Sequence, residues 1–285
     1  EHLGISINRA KSIIKAGEVY VGTKIISQPG YAVDVGKEVE VKEKFEIRNR
    51  PELVGSDNLD IVVYEDEDFA VLEKPRGMHS IRIDSSDAVC LTDIVSRLYP
   101  EQETEFGNTL ELGLIQRLDY FTCGLILCAK TASAKDRLQW LQANGNIIKR
   151  YKALIRKPSR SLPLQINVPI ITPKNSKTVK LWNEASGNVE CFEAVTEIIG
   201  ITNGERSSLV HVSGTSLRRH QVRIHLSHIG YPLIGDEMYG SWELIRSFAE
   251  DWDFLDKSDE GFYLNAYELE ISDGDDVKVF TSSAG

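Results

Sequence analysis

The chain has 285 residues, a formal net charge of −10 and 41% hydrophobic residues, which predicts one large domain with a packed core and room for a second, small one. It contains no run of about 18 apolar residues and no visible signal peptide, so we expect no membrane span. The four cysteines lack C-x-x-C and zinc-type spacing, which predicts reduced thiols, no zinc site and a cytoplasmic location.

The first 46 residues predict a small α/β domain. Residues 8–17 have the apolar spacing of a short helix. Its polar side carries three cations, Arg9, Lys11 and Lys15. Strands are predicted to follow at 19–21, 24–26 and 39–41. Residues 47–58 lose this periodicity, so we predict a linker there and a second domain at 59–285.

Apolar periodicity after residue 59 predicts a mixture of strands and helices. In chain order these are strands at 61–64 and 69–72, a helix at 88–99, strands at 112–118 and 125–129, a helix at 131–144 and a strand at 151–155. A further helix is predicted at 216–230, with Ser216 near its N-cap and Gly230 just past its end.

A carboxylate stands between two of the predicted strands. Residues 116–124 read Q-R-L-D-Y-F-T-C-G, which places Asp119 at the mouth of a sheet rather than inside a helix. Loops held on a rigid scaffold are where catalytic groups concentrate. Taken alone, however, an Asp in such a place is more often a turn residue or a helix cap.

Two arginines flank the apolar stripe of the predicted helix at 216–230. Arg219 and Arg223 are four residues apart, beside Val222 and Leu226. An arginine beside a buried stripe is costly unless a carboxylate or a phosphate meets it. The alternative is a side chain that reaches past the stripe to solvent. His225 and the histidine three residues later lack a third ligand nearby, so no metal site is predicted.

Basic residues are concentrated in one part of this acidic chain. Residues 116–160 contain ten Lys/Arg against two Asp/Glu, a net charge of +8, whereas residues 241–285 contain three against twelve, a net charge of −9. Within the basic stretch, Lys149, Arg150 and Lys152 surround Tyr151. This pattern predicts a surface on which phosphates meet cations and a base stacks on the ring, or else an edge strand protected by its charges.

The order and spacing of these features resemble the RluA family of pseudouridine synthases. That family's motif H-R-L-D-x-x-T-S-G is matched by residues 116–124, and its K-x-Y-x-A-L by residues 149–154. Its G-R-x-H-Q-I-R-x-H-L and G-x-P-I-x-G-D-x-x-Y-G are matched within 217–226 and 230–240. Residues 1–46 resemble an S4-like RNA-binding domain with a truncated first helix. The resemblance implies an α+β fold, with a mixed, mostly antiparallel sheet flanked by helices after that small domain.

This resemblance also implies an activity, the isomerisation of uridine to pseudouridine in structured RNA without a cofactor. Asp119 is implied as the nucleophile, Arg223 as its ion-pair partner, and Tyr151 as the ring that stacks on a flipped-out uracil. Eight residues are expected to contact RNA, namely Arg117, Arg218, His220, Gln221, Lys149, Arg9, Lys11 and Lys15. We expect a monomer acting on large-subunit ribosomal RNA. Whether the carboxylate attacks C1′, attacks the base or removes a C2′ proton stays open.

Three positions depart from the family's pattern. Gln116 and Cys123 replace its usual His and Ser, and Asn265 stands where its L-H-A has His. They leave open a non-catalytic RNA-binding or ribosome-assembly factor that retains the fold, although a scaffold would need neither Asp119 nor its partners. A transfer-RNA pseudouridine synthase is the other alternative. A glycosidase usually needs two cooperating carboxylates, and only Asp119 has a distinctive setting.

Overall fold

The computed structural model describes residues 14, 19–28, 30–34, 36–41, 61–83, 89–106, 109–174, 176–187, 189–215, 217–255 and 257–283. The chain forms two compact units, residues 1–55 and 56–285. The predicted helix at 8–17, with the side chains of Arg9, Lys11 and Lys15, lies outside the described residues apart from residue 14, and so does the predicted linker. The roles expected of these cations therefore stay predictions, as do the domain boundaries.

The described part of the first unit is a three-stranded antiparallel sheet. Its strands are β1 (Val19–Val21), β2 (Lys24–Ile26) and β3 (Val39–Val41), in the order β2-β1-β3. The turn between β1 and β2 contains Gly22 at φ +62°, a left-handed conformation that glycine adopts without steric cost. The strands predicted for this region are therefore confirmed.

A nine-stranded sheet forms the centre of the second unit. Its strands are β4 (Val62–Glu65), β5 (Phe69–Lys74), β6 (Thr122–Ala129), β7 (Ile147–Arg156), β8 (Gln165–Asn167), β11 (Val195–Asn203), β12 (Ser207–Gly214), β13 (Leu264–Asp273) and β14 (Asp276–Thr281). They are ordered β4-β5-β6-β13-β7-β12-β11-β8, with β14 also paired to β13. Among the described strand pairs only β6 and β13 run parallel, so the mixed, mostly antiparallel sheet is confirmed. The short strands β9 (Ile170–Ile171) and β10 (Lys180–Leu181) pair separately.

Four helices accompany this sheet in the described residues. They are α1 (Leu91–Leu98), α2 (Gln102–Glu105), α3 (Ala132–Ala143) and α4 (Gln221–His228). The Thr131 side chain caps α3 by accepting a hydrogen bond from the Ala134 N–H at 3.1 Å. Ala134, Leu138 and Leu141 are buried, as the spacing predicts. No helix among the described residues is long and apolar enough to cross a membrane.

The core lies on both sides of β6, whose eight residues are all buried. One cluster packs the α3 face against the sheet and includes Val71, Leu125, Leu127, Leu138, Leu141 and Ile147. A second cluster includes Cys123, Leu154, Leu209, Ile234, Phe248 and Tyr263. A strand buried on both faces needs a continuous apolar run, which explains why β6 was recognisable from sequence.

The prediction of a strand at 112–118 is wrong. The segment is a turn that makes one isolated bridge, between Leu114 and Cys128. Leu112 has φ +47°, which no strand contains, and Gly113 packs so tightly on the Ala129 backbone that no side chain would fit. Its residues are apolar because they are buried, and burial alone does not distinguish a strand from a packed turn.

The helix predicted at 216–230 is shorter than expected. It begins at Gln221, because His220 has φ +57° and cannot continue a right-handed helix. Ser216, the predicted N-cap, lies outside the described residues. The predicted end is confirmed, since Gly230 follows the C-cap with φ +88°. β6 and β7 are each longer than their predictions, and the described start of α1, at Leu91, is later than residue 88.

Candidate active site

Asp119 lies in a tight turn that leads into β6. The Thr122 N–H donates to the Asp119 carbonyl at 3.0 Å and closes the turn. Ser80 binds the preceding residue twice, because its hydroxyl donates to the Leu118 carbonyl at 2.8 Å and accepts from the Leu118 N–H at 2.9 Å. The backbone of the turn is therefore fixed on both sides of the carboxylate.

The loop after β5 is fastened to the same turn by a fully buried lysine. The Lys74 ammonium donates to the carbonyls of Pro75 and Met78, both at 2.8 Å, and lies 3.5 Å from that of Tyr120. Burial lowers the pKa of Lys74 to about 8. The Gly77 N–H adds a bond to the Tyr120 carbonyl at 2.9 Å. Residues 74–77, which read K-P-R-G, thus hold the turn of Asp119 in position from a separate loop.

The glycine of the T-C-G sequence, Gly124, is required by the close packing of two strands. Its φ is +101°, and a Cβ there would collide with the Ala266 carbonyl and the Asn265 side chain. Only glycine lets β13 approach β6 this closely. Cys123 beside it is buried, and burial raises the pKa of its thiol to about 11, which marks it as a packing residue and not a reactive thiolate.

The Arg223 guanidinium lies between two carboxylates. It donates through Nη1 to Asp119 Oδ2 at 2.8 Å, and through Nε and Nη2 to both oxygens of Asp236 at 2.7 and 2.8 Å. Burial alone would lower the pKa of Arg223, but the hydrogen bonds and charges of both carboxylates outweigh it and raise that pKa. The expected pairing of Arg223 with Asp119 is thus present, across 104 positions of sequence.

Asp236 was not predicted as a site residue. Its side chain is 1% exposed, and its bidentate bonds fix the direction of the arginine. The rings of Phe262 and Tyr239 lie 4.4 and 5.0 Å from the guanidinium carbon. Arg223 was the sequence signal that could have indicated it, because a cation beside a buried helix stripe requires an acid. Asp236 follows Arg223 by only 13 positions.

His220 faces the other oxygen of the carboxylate. Its Nε2 lies 3.5 Å from Asp119 Oδ1, and its Nδ1 lies 2.8 Å from the Tyr239 hydroxyl. Asp119 is one quarter exposed, so it also keeps access to the cleft. Burial lowers the pKa of His220, as do the charges of Arg223 and Arg219, and the charge of Asp119 opposes them.

Strand β7 separates the cations that the sequence groups together. Lys149 and Tyr151 are buried on the cleft side, whereas Arg150 and Lys152 lie on the other face, because successive side chains of a strand point in opposite directions. Arg150 binds Glu268 and Glu270. The expected surface of three cations around one ring is therefore wrong.

The two cleft-side residues of β7 are both perturbed by burial. Burial and the nearby charge of Asp119 raise the pKa of Tyr151, so its hydroxyl stays neutral. Burial lowers the pKa of Lys149 to about 7. The Lys149 ammonium donates to Gln142 Oε1 at 2.6 Å and has no ion pair with a described carboxylate.

Much of the net positive charge of residues 116–160 is compensated in the fold. Besides Arg150, three arginines of this stretch pair with carboxylates: Arg117 with Glu111, Arg137 with Asp68 and Asp273, and Arg156 with Glu243. Four of the acids belong to the acidic stretch 241–285, namely Glu243, Asp273 and the two partners of Arg150, Glu268 and Glu270. The expected basic patch is thus largely neutralised among the described residues.

The remaining predicted RNA-contact residues differ in their exposure and in how far their polar atoms are already bonded within the protein. Arg117 is half exposed, 3.6 Å from Glu111. Arg218 lies over the Phe192 ring at 4.9 Å. The Gln221 amide is buried, accepts from the Arg218 N–H and donates to the Val195 carbonyl. Its polar atoms are therefore engaged within the fold.

One cleft of about 1330 Å³ collects these groups. It exceeds the roughly 300–1,000 Å³ of small-molecule sites, which suits a polymeric ligand. It is lined by the three predicted catalytic residues and the five predicted RNA-contact residues of the second unit: Asp119, Tyr151, Arg223, Arg117, Lys149, Arg218, His220 and Gln221. In the parts of the chain that the structure describes, no group of three or more His, Cys, Asp or Glu residues could hold a metal ion.

Comparisons with known proteins agree on one family. The model of the family described as RNA pseudouridylate synthase matches residues 68–228, and that of the S4 domain matches residues 1–39. An uncharacterized RNA pseudouridine synthase of Aquifex aeolicus is 30% identical over 91% of this chain and 79% of its own. Ribosomal large subunit pseudouridine synthase C of Escherichia coli K12 is 28% identical over 87% of this chain and 76% of its own.

Solved structures show the same fold. Human RNA Pseudouridylate Synthase Domain Containing 1 superposes with a TM-score of 0.57 at 21% identity, covering 78% of this chain and 82% of the other. Human RNA Pseudouridylate Synthase Domain Containing 4 gives a TM-score of 0.55 at 19% identity, covering 79% of this chain and 88% of the other.

Proposed function

Because this chain belongs to the RNA pseudouridylate synthase family and is an RNA pseudouridine synthase, we propose that it isomerises a uridine of large-subunit ribosomal RNA with Asp119 as nucleophile. The assignment of Asp119 as nucleophile rests on the position of its carboxylate. It is held by Arg223 at 2.8 Å and opens into the cleft beside Tyr151. A carboxylate so fixed is suited to covalent catalysis.

The ribosomal target is supported by the relatives. Several curated relatives are named ribosomal large subunit pseudouridine synthases, among them the C enzyme of Escherichia coli and the D enzyme of Buchnera aphidicola. An S4 domain precedes the catalytic unit. No feature of the described residues favours transfer RNA. The monomeric state and the cytoplasmic location stay predictions.

The reaction rearranges one nucleotide and needs no other reactant. The bond between N1 of uracil and C1′ of ribose breaks, the uracil turns, and C5 bonds to the same C1′. C5 then loses its proton and N1 gains one, so atoms and charge balance without a redox step. The role of Asp119 is to stabilise the separated sugar and base by bonding to one of them.

The arginine between the two carboxylates orients this nucleophile. Its Nη1 donates a charge-assisted hydrogen bond to Asp119 Oδ2 at 2.8 Å, which fixes the direction of the carboxylate. Asp236 takes two of the guanidinium hydrogen bonds, which leaves Nη1 directed at Asp119. The nucleophile is therefore oriented before RNA binds.

The target uridine must leave its stack to reach Asp119. Tyr151, neutral and buried beside the carboxylate, offers the ring on which the flipped uracil would stack. Arg117 is half exposed at the cleft and would contact the RNA around the vacated position. These roles of Tyr151 and Arg117 are part of the proposal.

Replacement of Asp119 by Asn tests the nucleophile. The amide keeps the shape of the side chain but is a poor nucleophile, so we expect tritium release from RNA labelled at uridine C5 to fall by about 10⁴-fold or more, with RNA affinity largely retained. The matched control is Asp136→Asn, an exposed residue of α3. Normal turnover by Asp119→Asn would remove the nucleophile assignment.

The target is tested by mapping pseudouridines in cells with and without this protein. We expect sites in large-subunit ribosomal RNA to disappear and to return when the wild-type chain, but not Asp119→Asn, is restored. Loss of sites in transfer RNA alone would replace the ribosomal target. No lost site in any RNA would favour a non-catalytic factor.

A further inference from the structure

The least expected backbone conformation of the cleft is at His220. It is one of two non-glycine residues with positive φ in the described chain, the other being Leu112 in the packed turn. Left-handed conformations cost a non-glycine residue free energy and persist where the surrounding structure demands them. Here the conformation ends the preceding loop and turns the imidazole toward Asp119. The ring is therefore a candidate for a role at the carboxylate.

The hydrogen bonds of the Tyr239 hydroxyl favour one of the two imidazole tautomers. That hydroxyl accepts from the Val179 N–H at 3.0 Å and lies 2.8 Å from His220 Nδ1. A phenol has a single proton to donate, and Nδ1 is the acceptor placed to receive it. A neutral imidazole that accepts at Nδ1 must carry its hydrogen at Nε2.

The carboxylate favours the same tautomer. Nε2 faces Asp119 Oδ1 at 3.5 Å, and an N–H there attracts the anion whereas a lone pair would repel it. Two acids and two arginines surround the ring, namely Asp119, Asp236, Arg219 and Arg223. Burial is the largest influence on the pKa of His220 and lowers it, so the ring is neutral at neutral pH.

We propose that His220 is a positioning residue: Tyr239 holds its neutral ring so that Nε2–H donates to Asp119 Oδ1, while Arg223 holds Oδ2. The inference rests on the proposed role of Asp119. The present separation is long for a hydrogen bond, and catalytic hydrogen bonds of free enzymes commonly shorten in the substrate complex. Each carboxylate oxygen keeps a second lone pair for the reacting atom, so both can be held without blocking attack.

A pair of substitutions at position 220 separates this role from others. In His220→Gln the side-chain amide nitrogen can occupy the place of Nε2 and donate to Asp119. In His220→Asn the amide reaches only the place of Nδ1, although Asn accepts the left-handed backbone readily. Under saturating enzyme, we expect the single-turnover rate of His220→Asn to fall about 10²-fold, the scale of a misplaced catalytic group.

The Gln variant should recover most of that loss, and the RNA dissociation constant should change less than about twofold in both. Equal rates for wild type and His220→Asn would overturn the inference. So would a weakened affinity with an unchanged rate, since His220 would then be an RNA contact.

The tautomer is read directly by long-range ¹H–¹⁵N correlation spectra of the histidine rings. We expect His220 to show a protonated Nε2 and an unprotonated Nδ1, and Tyr239→Phe to change that pattern without unfolding the protein. This measurement still tests the inference if the position-220 variants fail to fold, and a protonated Nδ1 in the wild type would contradict it. Active Asp119→Asn would refute the nucleophile, whereas inactive Asp119→Asn with normal His220 variants would refute only the positioning role.

Discussion

Two buried cations line the same cleft in opposite electrostatic settings. Arg223 lies between the carboxylates of Asp119 and Asp236, whereas the Lys149 ammonium meets the neutral amide oxygen of Gln142. The pKa of the arginine is raised, and burial lowers that of the lysine to about 7. The first cation is charged at all physiological pH values, while the second loses its proton far more readily than an exposed lysine does.

This difference shows what each cation contributes to the fold and to binding. An ion between carboxylates is part of the structure, and removing it leaves buried charges without a partner. A buried lysine that lacks a carboxylate partner destabilises the free protein, and its ammonium can pair with the phosphate of a ligand. Arg223 therefore belongs to the permanent architecture of the site, whereas Lys149 stays a predicted RNA contact.

The largest expected effect is the destabilisation by Arg223→Met. This change leaves two carboxylates unpaired, one of them fully buried, and should lower the free energy of unfolding by about 3–5 kcal/mol. Urea denaturation at pH 7 measures it. Arg223→Lys is the control and should recover only part, because an ammonium cannot make the bidentate bonds to Asp236. A loss below about 1 kcal/mol would mean that the ion network is not structural.

The same substitution at Lys149 should act in the opposite direction. Lys149→Met removes an uncompensated buried cation and should raise the free energy of unfolding by about 2–3 kcal/mol below pH 7. Between the folded pKa near 7 and the unfolded pKa near 10.4, the unfolded state binds more protons, so wild-type stability increases with pH. The advantage of the variant should therefore shrink toward pH 10. A pH-independent advantage would contradict the depressed pKa.

The smallest effect is expected for Arg150→Met, next to Lys149 on β7. Its ion pairs with Glu268 and Glu270 are partly exposed, and such pairs contribute about 0–1 kcal/mol. Because its side chain lies on the opposite face from the cleft, RNA affinity in a filter-binding assay should change little, whereas Lys149→Met should weaken it. Equal weakening by both changes would show that RNA also covers the outer face.

The sequence was informative wherever local pattern and burial coincide. Helix α3, the strands β4 and β5, and the apolar run of β6 were all recognisable. The approach of Asp119 to Arg223 was expected only from the family resemblance, because the two residues are 104 positions apart and no local rule connects them. The segment at 112–118 was misassigned because tight packing of Leu112 produces the same apolar run as a strand.

Charge was the least predictable property. Net charges summed along the chain suggested a basic patch, but pairing in three dimensions brings the acidic residues of β13 against the basic residues of β7. Alternation along β7 then places Lys149 and Arg150 on opposite faces. Neither effect is visible until the strand neighbours are known. Asp236 was missed for the same reason, since its importance comes from contacting an arginine and not from its own surroundings in sequence.

The position of β13 in the sheet has a consequence for the order in which the protein matures. In the described ladder, β6 and β7 are not paired with each other, and β13 lies between them. Asp119 precedes β6, whereas Tyr151 lies on β7, so the strand that joins the two sides of the site is synthesised after both of them. A nascent chain that has not yet reached Leu264 holds the proposed nucleophile and its proposed stacking ring on two half-sheets without the strand that joins them. The two sides of the cleft can therefore come together only after β13 has been synthesised.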